Sequence, residues 1–134
     1  MKHTNRQFGE FEYDEKHVVE FPRGIIGFES YRKFVIVHDG ETEPFRWLIS
    51  LEGEDLSFPI IEPTYLLPYY KSKFEKEDEV SVFLIASLSP KAEESTVNLR
   101  SPLVISEKNR TGEQVVLSDD SLSMRYPILS RHKN

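Results

Sequence analysis

Side chains that could carry out catalysis or hold a metal are present in this sequence, but their spacing fits neither chemistry. The four histidines, at positions 3, 17, 38 and 132, are scattered, and none has the i, i+2 or i, i+4 spacing of a metal pair. Serines are frequent, yet no G-x-S-x-G nucleophile motif occurs. The absence of cysteine excludes thiol catalysis and cysteine–zinc sites. A triad assembled from distant Ser, His and Asp residues stays open as an alternative, although no sequence feature favours it.

Acidic residues in the segment DGETE, residues 39–43, briefly resemble a calcium-binding loop. An EF-hand would place glycine at the sixth position, where Pro44 stands, and a bidentate glutamate at the twelfth, where Ser50 stands. A solvated loop is the better interpretation. We therefore predict a protein without catalytic residues, cofactor or metal, and thus not an enzyme.

Nucleic-acid binding is also disfavoured by the distribution of charge. Gly24-Ile25-Ile26-Gly27 formally matches the GXXG clamp of single-stranded RNA binders. That module needs a basic groove, whereas the densest basic cluster here, Lys71, Lys73 and Lys76, is interleaved with acids. We predict no direct contact with nucleic acid.

The net charge of -6 is concentrated in one stretch of the chain. Between Asp39 and Glu62 lie seven acidic residues and one basic residue, which account for the whole excess. Such charge can simply maintain solubility, or it can form a negative patch that steers a basic partner. On the second interpretation, the acidic candidates for partner binding are Asp39, Glu41, Glu43, Glu52, Glu54, Asp55 and Glu62.

The segment FPRGIIGFE, residues 21–29, combines turn-forming and apolar residues. Pro22 ends the preceding strand, and the two glycines permit positive φ or close backbone approach. The segment can be a buried corner that plugs one end of a barrel or an exposed apolar knob that binds a partner. We predict Phe21 and Phe28 in the core, and at least one of the two isoleucines at the surface. The partner-binding candidates here are Arg23, Ile25 and Ile26.

Short apolar runs of strand length recur along the chain and are separated by turn signals such as Asp39-Gly40 and Ser89-Pro90. The runs cover residues 11–13, 18–21, 34–37, 47–51, 58–61, 80–88, 97–105, 114–117 and 124–128. Nine Phe and six Tyr suit half-buried strands better than a helical bundle. We predict a single mostly β domain over residues 1–134, an antiparallel sandwich or closed barrel, with frayed ends at 1–6 and 130–134.

Three segments carry more specific local predictions. FESYRKF, residues 28–34, can form one helical turn, and residues 65–80 can form a helix that begins or breaks at Pro68. SEKNRTGEQVV, residues 106–116, predicts a β-hairpin with Gly112 near a position of positive φ. The N-terminus has no apolar core of a secretory signal, and no apolar run approaches the length of a membrane span, so we expect a cytoplasmic protein.

The order of several sequence blocks resembles the FliW family of bacterial flagellar assembly factors. The blocks are FGEFEY, VVEFPRGIIGFE, PFRWLISLE, LSFPIIEP, TVNLRSPLVI and GEQVVLSDDSLSMRYPI, which run in family order from Phe8 to Ile128. The chain departs from the family pattern at Ile26, where the family usually has proline.

The resemblance implies a small antiparallel β pseudo-barrel capped by a short helix, without enzymatic activity. It also implies two partners in the cytoplasm: flagellin, and the carbon storage regulator CsrA, a small basic RNA-binding dimer that represses flagellin translation. When flagellin is exported, the freed protein would capture CsrA and relieve repression. The alternative from another functional class is a β-barrel that binds a small molecule or lipid in its aromatic interior.

Overall fold

Eleven short β-strands account for most of the regular structure in the part of the chain that the computed structural model describes, residues 1–68, 70 and 80–129. The strands are β1 (Lys2–Asn5), β2 (Gly9–Glu12), β3 (Val19–Glu20), β4 (Lys33–His38), β5 (Arg46–Ser50), β6 (Ser57–Ile61), β7 (Val80–Ser87), β8 (Thr96–Val97), β9 (Leu103–Ser106), β10 (Thr111–Gln114) and β11 (Tyr126–Pro127).

Seven of these strands close into a barrel. Strands β7, β6, β5, β4 and β3 are neighbours in that order, β10 and β9 follow β3, and β9 pairs back onto β7. The pairings are antiparallel except that of β10 with β3, which joins Thr111 and Glu20 in parallel. The short strands β8 and β11 extend the sheet beyond the second half of β7. The prediction of a mostly β pseudo-barrel is confirmed.

The interior of the barrel is filled by its own side chains. Because successive side chains of a strand point to opposite faces, every second residue of each barrel strand points inward. Inward strand residues, together with Phe21 and Ile25 from the segment after β3, form one core cluster in which each side chain is at most 3% exposed: Val19, Phe21, Ile25, Phe34, Leu48, Ile60, Phe83, Leu103 and Ile105. Such dense packing stabilises the barrel through burial of apolar surface.

Two further clusters cover the outer face of the barrel. The β1–β2 hairpin places Phe8 and Phe11 against Val35, Trp47 and Ile49, with the Phe8 and Trp47 ring centroids 5.2 Å apart. On the other side, outward residues of β7 pack with residues that precede and follow that strand. The buried members of this second cluster are Ile61, Leu66, Tyr70, Val82, Leu84, Ala86, Val97 and Leu99. Strands β4, β5 and β7 are therefore buried on both faces.

The N-terminal hairpin differs from the frayed end that the sequence predicts for residues 1–6. Asn5 is buried, and its Oδ1 accepts hydrogen bonds from the backbone N–H groups of Gln7 and Phe8 at 2.8 and 3.1 Å. The side chain thereby holds the turn that joins β1 to β2. The C-terminal residues 130–134 lie outside the described residues.

The short helix expected as a cap is not found in the described residues, whose helical segments are three-residue 3₁₀ turns such as Gly40–Thr42 and Pro63–Tyr65. FESYRKF does not form a helical turn: residues 29–32 form a turn and irregular backbone, and Lys33 and Phe34 begin β4. Most of the other candidate helix, residues 71–79, falls outside the described part of the chain.

The predicted hairpin at residues 106–116 is present as β9 and β10, but the residue with positive φ is Arg110, at 54°. Gly112 is needed for another reason. A Cβ atom at this position would lie 2.5 Å from Cζ of the buried Phe21 ring. The glycine therefore provides the space that the core aromatic occupies.

Residues 21–29, here called the plug corner, close one end of the barrel. The backbone N–H of Phe28 donates to the carbonyl of Ile25 at 2.7 Å, and the two residues form an isolated β-bridge. Gly24 has φ +70°, and a Cβ there would lie 2.5 Å from Cα of Glu29. The tight backbone contact across the corner therefore requires glycine at position 24, and it aims Ile25 into the core cluster.

Candidate functional site

A groove of about 810 Å³ runs beside the plug corner, and we call it the plug groove. Four large apolar side chains in its lining are substantially exposed: Ile26 at 59%, Val116 at 60%, Met124 at 58% and Phe28 at 40%. Phe58 and Ile85 of the barrel wall also contribute to it. Exposed apolar side chains gathered around one concavity are typical of a surface that binds another macromolecule.

The backbone of the plug corner explains why adjacent isoleucines face opposite ways. Ile25 is 1% exposed and belongs to the core, whereas Ile26 faces the groove. The Ile26 N–H donates to Oε1 of Gln114 at 2.8 Å, and Nε2 of Gln114 donates to the Ser101 carbonyl at 3.3 Å. The plug corner is thus hydrogen-bonded to β10 through the Gln114 side chain, which itself lines the groove.

Two core assignments in this segment have different outcomes. Phe21 is fully buried and packs edge-to-face on Phe34 with ring centroids 5.5 Å apart, as predicted. The prediction for Phe28 is wrong, because that ring is 40% exposed and contacts the Phe58 ring edge-to-face at 5.2 Å. The bridge to Ile25 fixes the backbone so that Ile25 fills the core in its place. The prediction that at least one isoleucine is exposed is confirmed by Ile26.

Polar and charged side chains share the lining of the groove with the apolar ones. Arg100, Arg125 and Glu94 are its charged members. Nη2 of Arg100 donates to Oδ1 of Asp120 at 2.6 Å and to the Asp119 carbonyl at 3.5 Å. In the described part of the chain, the Arg125 side chain is exposed and has no ion-pair partner. The groove can therefore offer apolar contact and a cationic hydrogen-bond donor.

The acidic stretch from Asp39 to Glu62 does not form one patch. Asp39, Glu41 and Glu43 lie at the connection from β4 to β5, and Glu62 follows β6 at the same end. The group Glu52, Glu54 and Asp55 lies at the connection from β5 to β6, beside the plug corner. Strand β5 separates the two groups by about 13 Å, at 3.3 Å per residue. We call the end that carries the first group the far end of the barrel.

Local partners offset the acidic group beside the plug. Oε1 of Glu52 accepts hydrogen bonds from the backbone N–H groups of Arg32 and Lys33, and these bonds hold the pKa of Glu52 below its ordinary value. Asp55 forms an ion pair with Arg6. Because Arg6, Arg32 and Lys33 lie beside these acids, the group presents less net negative charge than its sequence suggests.

At the far end the acids are partly paired with other side chains. Glu43 contacts His38 with Oε1 and Nε2 2.7 Å apart, and Glu62 lies 3.6 Å from Arg46. Oδ1 of Asp39 accepts from the Glu41 N–H at 3.0 Å and so caps the 3₁₀ turn. Glu41 is exposed and, within the described residues, forms no ion pair.

The sequence-predicted candidates are therefore spread over three places. Arg23 and Ile26 are exposed on the plug corner, Ile25 is in the core, and the acids occupy both ends of the barrel. The groove residues Val116 and Met124 were not predicted, because nothing in their local sequence distinguishes them from strand residues that face a core. Only the distant pairing of their segments places them opposite Ile26.

Metal-binding side chains do not cluster in the described residues. No group of three or more His, Asp or Glu side chains is positioned there to hold a metal ion. The side chain of His3 contacts the carbonyl of Gly53 at 2.9 Å, and that of His38 contacts Glu43. Within the same residues, no helix has the length and apolar character to cross a membrane.

Comparison with known proteins gives a consistent match along nearly the whole chain. The family model described as "FliW protein" matches residues 2–128. The chain is 33% identical to the flagellar assembly factor FliW of Caldanaerobacter subterraneus subsp. tengcongensis, with 100% of this chain and 97% of that protein covered. It is 35% identical to the protein of the same name from Thermosipho africanus, with coverages of 96% and 95%. A crystal structure of the flagellar assembly factor FliW superposes with a TM-score of 0.82 at 30% identity, covering 95% of this chain and 96% of that one.

Proposed function

This chain belongs to the FliW family of flagellar assembly factors, and from that premise we propose that it binds flagellin monomers in the cytoplasm. It acts by binding rather than by catalysis, and it needs no cofactor. When flagellin is exported and the protein becomes free, it binds the basic dimer CsrA and relieves the repression of flagellin translation. The protein thus couples the synthesis of flagellin to its export.

The observation that carries this proposal is the plug groove. Soluble monomers rarely expose contiguous apolar patches beyond a few hundred square ångströms unless the patch binds something. Here Ile26, Phe28, Val116 and Met124 surround one concavity that the described part of the chain leaves open. An apolar, open site of this kind supports a role in protein binding.

The interior of the barrel argues against the alternative of a small-molecule or lipid carrier. A carrier barrel keeps a cavity between its walls, whereas Phe34, Leu48, Ile60, Phe83 and Leu103 occupy that space in this protein. Native mass spectrometry of the purified protein tests the point. We expect the mass of the chain alone, and a retained lipid or metabolite would favour the carrier.

Gel filtration with freshly depolymerised cognate flagellin tests the first arm of the proposal. At micromolar concentrations the two proteins should elute together, whereas assembled filaments should bind poorly because flagellin surfaces are covered in the polymer. Failure to co-elute with monomeric flagellin would refute this role.

A competition experiment tests the second arm. CsrA should co-elute with the free protein, and added flagellin monomers should release CsrA, because the proposed switch requires that the two partners exclude each other even if they contact different residues. An RNA-binding assay with the flagellin leader then follows the outcome, since captured CsrA should no longer retard the RNA. A protein that binds flagellin but leaves CsrA–RNA complexes intact would limit the function to flagellin binding.

A further inference from the structure

We propose that the plug groove is the flagellin site and that it binds the apolar face of an amphipathic helical segment bearing a carboxylate, while CsrA binds outside the groove. This inference rests on the function proposed above and assigns one of its two partners to one surface.

The apolar part of the site comes from two separated segments of the chain. Ile26 and Phe28 belong to the plug corner, and Val116 and Met124 belong to the segment after β10. Ile85 of the barrel wall also lines the groove. A partner that inserts apolar side chains here removes both sets from water at once, which is the main source of favourable free energy in such contacts.

The hydrogen-bonding of the wall favours a helix over an added strand as the occupant. Strand β8, which contributes Thr96, is paired on both edges, to β7 through Ala86 and Ser87 and to β11 through Tyr126 and Pro127. An extended peptide needs a free sheet edge, and the sheet ends here at the two-residue strand β11, whose Pro127 has no N–H to donate. An amphipathic helix needs only a groove lined by side chains. The wall of the plug groove presents side chains.

The charge of the lining distinguishes between the two partners. Among the described residues that line the groove, the charged ones are two arginines, Arg100 and Arg125, and one glutamate, Glu94, although the whole chain has a net charge of -6. Arg100 already binds Asp120, whereas Arg125 is exposed and has no ion-pair partner in the described residues. A carboxylate on the partner would complement Arg125, and a basic surface such as that of CsrA would be disfavoured.

Three variants and two partners test the assignment by titration calorimetry. Ile26→Asp and Val116→Asp place a carboxylate in the apolar contact from either segment, and Arg125→Glu reverses the free cation. Each should weaken flagellin binding by about tenfold or more, equivalent to 1.4 kcal/mol, because a charge is desolvated or repelled. CsrA binding should change by less than about twofold, well under that free energy.

Two matched controls lie away from the groove. Tyr65→Asp alters a side chain that is 61% exposed near the far end, and Lys108→Glu reverses an exposed cation in the β9–β10 turn. Both should bind flagellin as the wild type does. Thermal melting should show all variants folded, since Ile26 and Val116 are 59% and 60% exposed.

Several outcomes would overturn the assignment. If the groove variants bind flagellin normally while the wild type binds both partners, the groove is not the flagellin site, yet the proposed function stands. The assignment also fails, and the proposed function still stands, if these variants lose CsrA binding, alone or together with flagellin binding. The groove would then not discriminate between the two partners. If the wild type binds neither partner, the proposed function fails and this inference fails with it.

Discussion

Substituting alanine at the two glycines of the plug corner separates two causes of strain. Gly24 and Gly27 both have positive φ, +70° and +89°, so an L-residue at either position costs about 1–2 kcal/mol from backbone conformation alone. At Gly27 the added Cβ meets nothing within 4 Å, whereas at Gly24 it would lie 2.5 Å from Cα and 2.7 Å from the carbonyl oxygen of Glu29.

The contact at Gly24 involves backbone atoms, which cannot move aside like a flexible side chain. Overpacking of this kind adds about 1–3 kcal/mol. We therefore expect Gly24→Ala to destabilise the protein by about 2–5 kcal/mol in total, and Gly27→Ala by about 1–2 kcal/mol. For a chain of this length the difference corresponds to roughly 4–12 °C in Tm, at about 4 °C per kcal/mol.

The free energy of unfolding of both variants is measured by urea titration, followed by circular dichroism and by the fluorescence of the single tryptophan, Trp47. The free energies from the two probes should agree if unfolding is two-state. Equal destabilisation by the two substitutions would refute the argument that the close backbone contact with Glu29 requires glycine at position 24. A smaller destabilisation by Gly24→Ala than by Gly27→Ala would refute it as well.

Three further predictions concern the core, the response to pH and the acidic surface. In chemical denaturation, Phe21→Ala should lower the free energy of unfolding by about 3–5 kcal/mol, because its ring is fully buried. Phe28→Ala should lower it by about 1–2 kcal/mol. Equal losses would contradict the assignment of Phe28 to the surface. Burial raises the pKa of Tyr70 to about 12 from 10.0, so the unfolded chain loses this proton first and stability falls as pH rises from about 10 to about 12. Urea titrations at both ends of that range should show a smaller alkaline loss for Tyr70→Phe, and an unchanged loss would rule out this cause. Glu41→Lys with Glu43→Lys should slow association with CsrA in stopped-flow experiments and flatten its salt dependence, while an unchanged rate at low salt would assign these acids to solubility alone.

Much of the fold follows from the sequence because strands carry a local signal. The alternation and length of the apolar runs predict β4, β5, β6 and β7, which the structure places close to the predicted bounds. Strand β1 was not predicted, because Lys2–Asn5 is polar and has no alternation of its own. Its hairpin is ordered by Phe8 and Phe11, which pack against the cluster of Val35, Trp47 and Ile49, residues far away in sequence.

The candidate site was less predictable because neighbours in sequence need not be neighbours in space. The acids between Asp39 and Glu62 appear as one stretch in sequence, yet β5 carries the chain from one end of the barrel to the other between them. In the plug corner, residue type does not decide which apolar side chain is buried. The positive φ values and the Ile25–Phe28 bridge direct Ile25 inward, which side-chain hydrophobicity does not encode.

The parallel pair between β3 and β10 has a consequence for the order in which the protein folds. Glu20 meets Thr111, and Ile26 is fastened to Gln114 across 88 positions, so the ring can close only after most of the chain has left the ribosome. Contacts of such large sequence separation slow folding, because the entropy of closing the loop is lost before they form. The wall of the plug groove that contains Ile26, Phe28 and Gln114 depends on that closure. A nascent chain that ends before β10 lacks Val116 and Met124, so its plug groove is incomplete however far the rest of the barrel has folded.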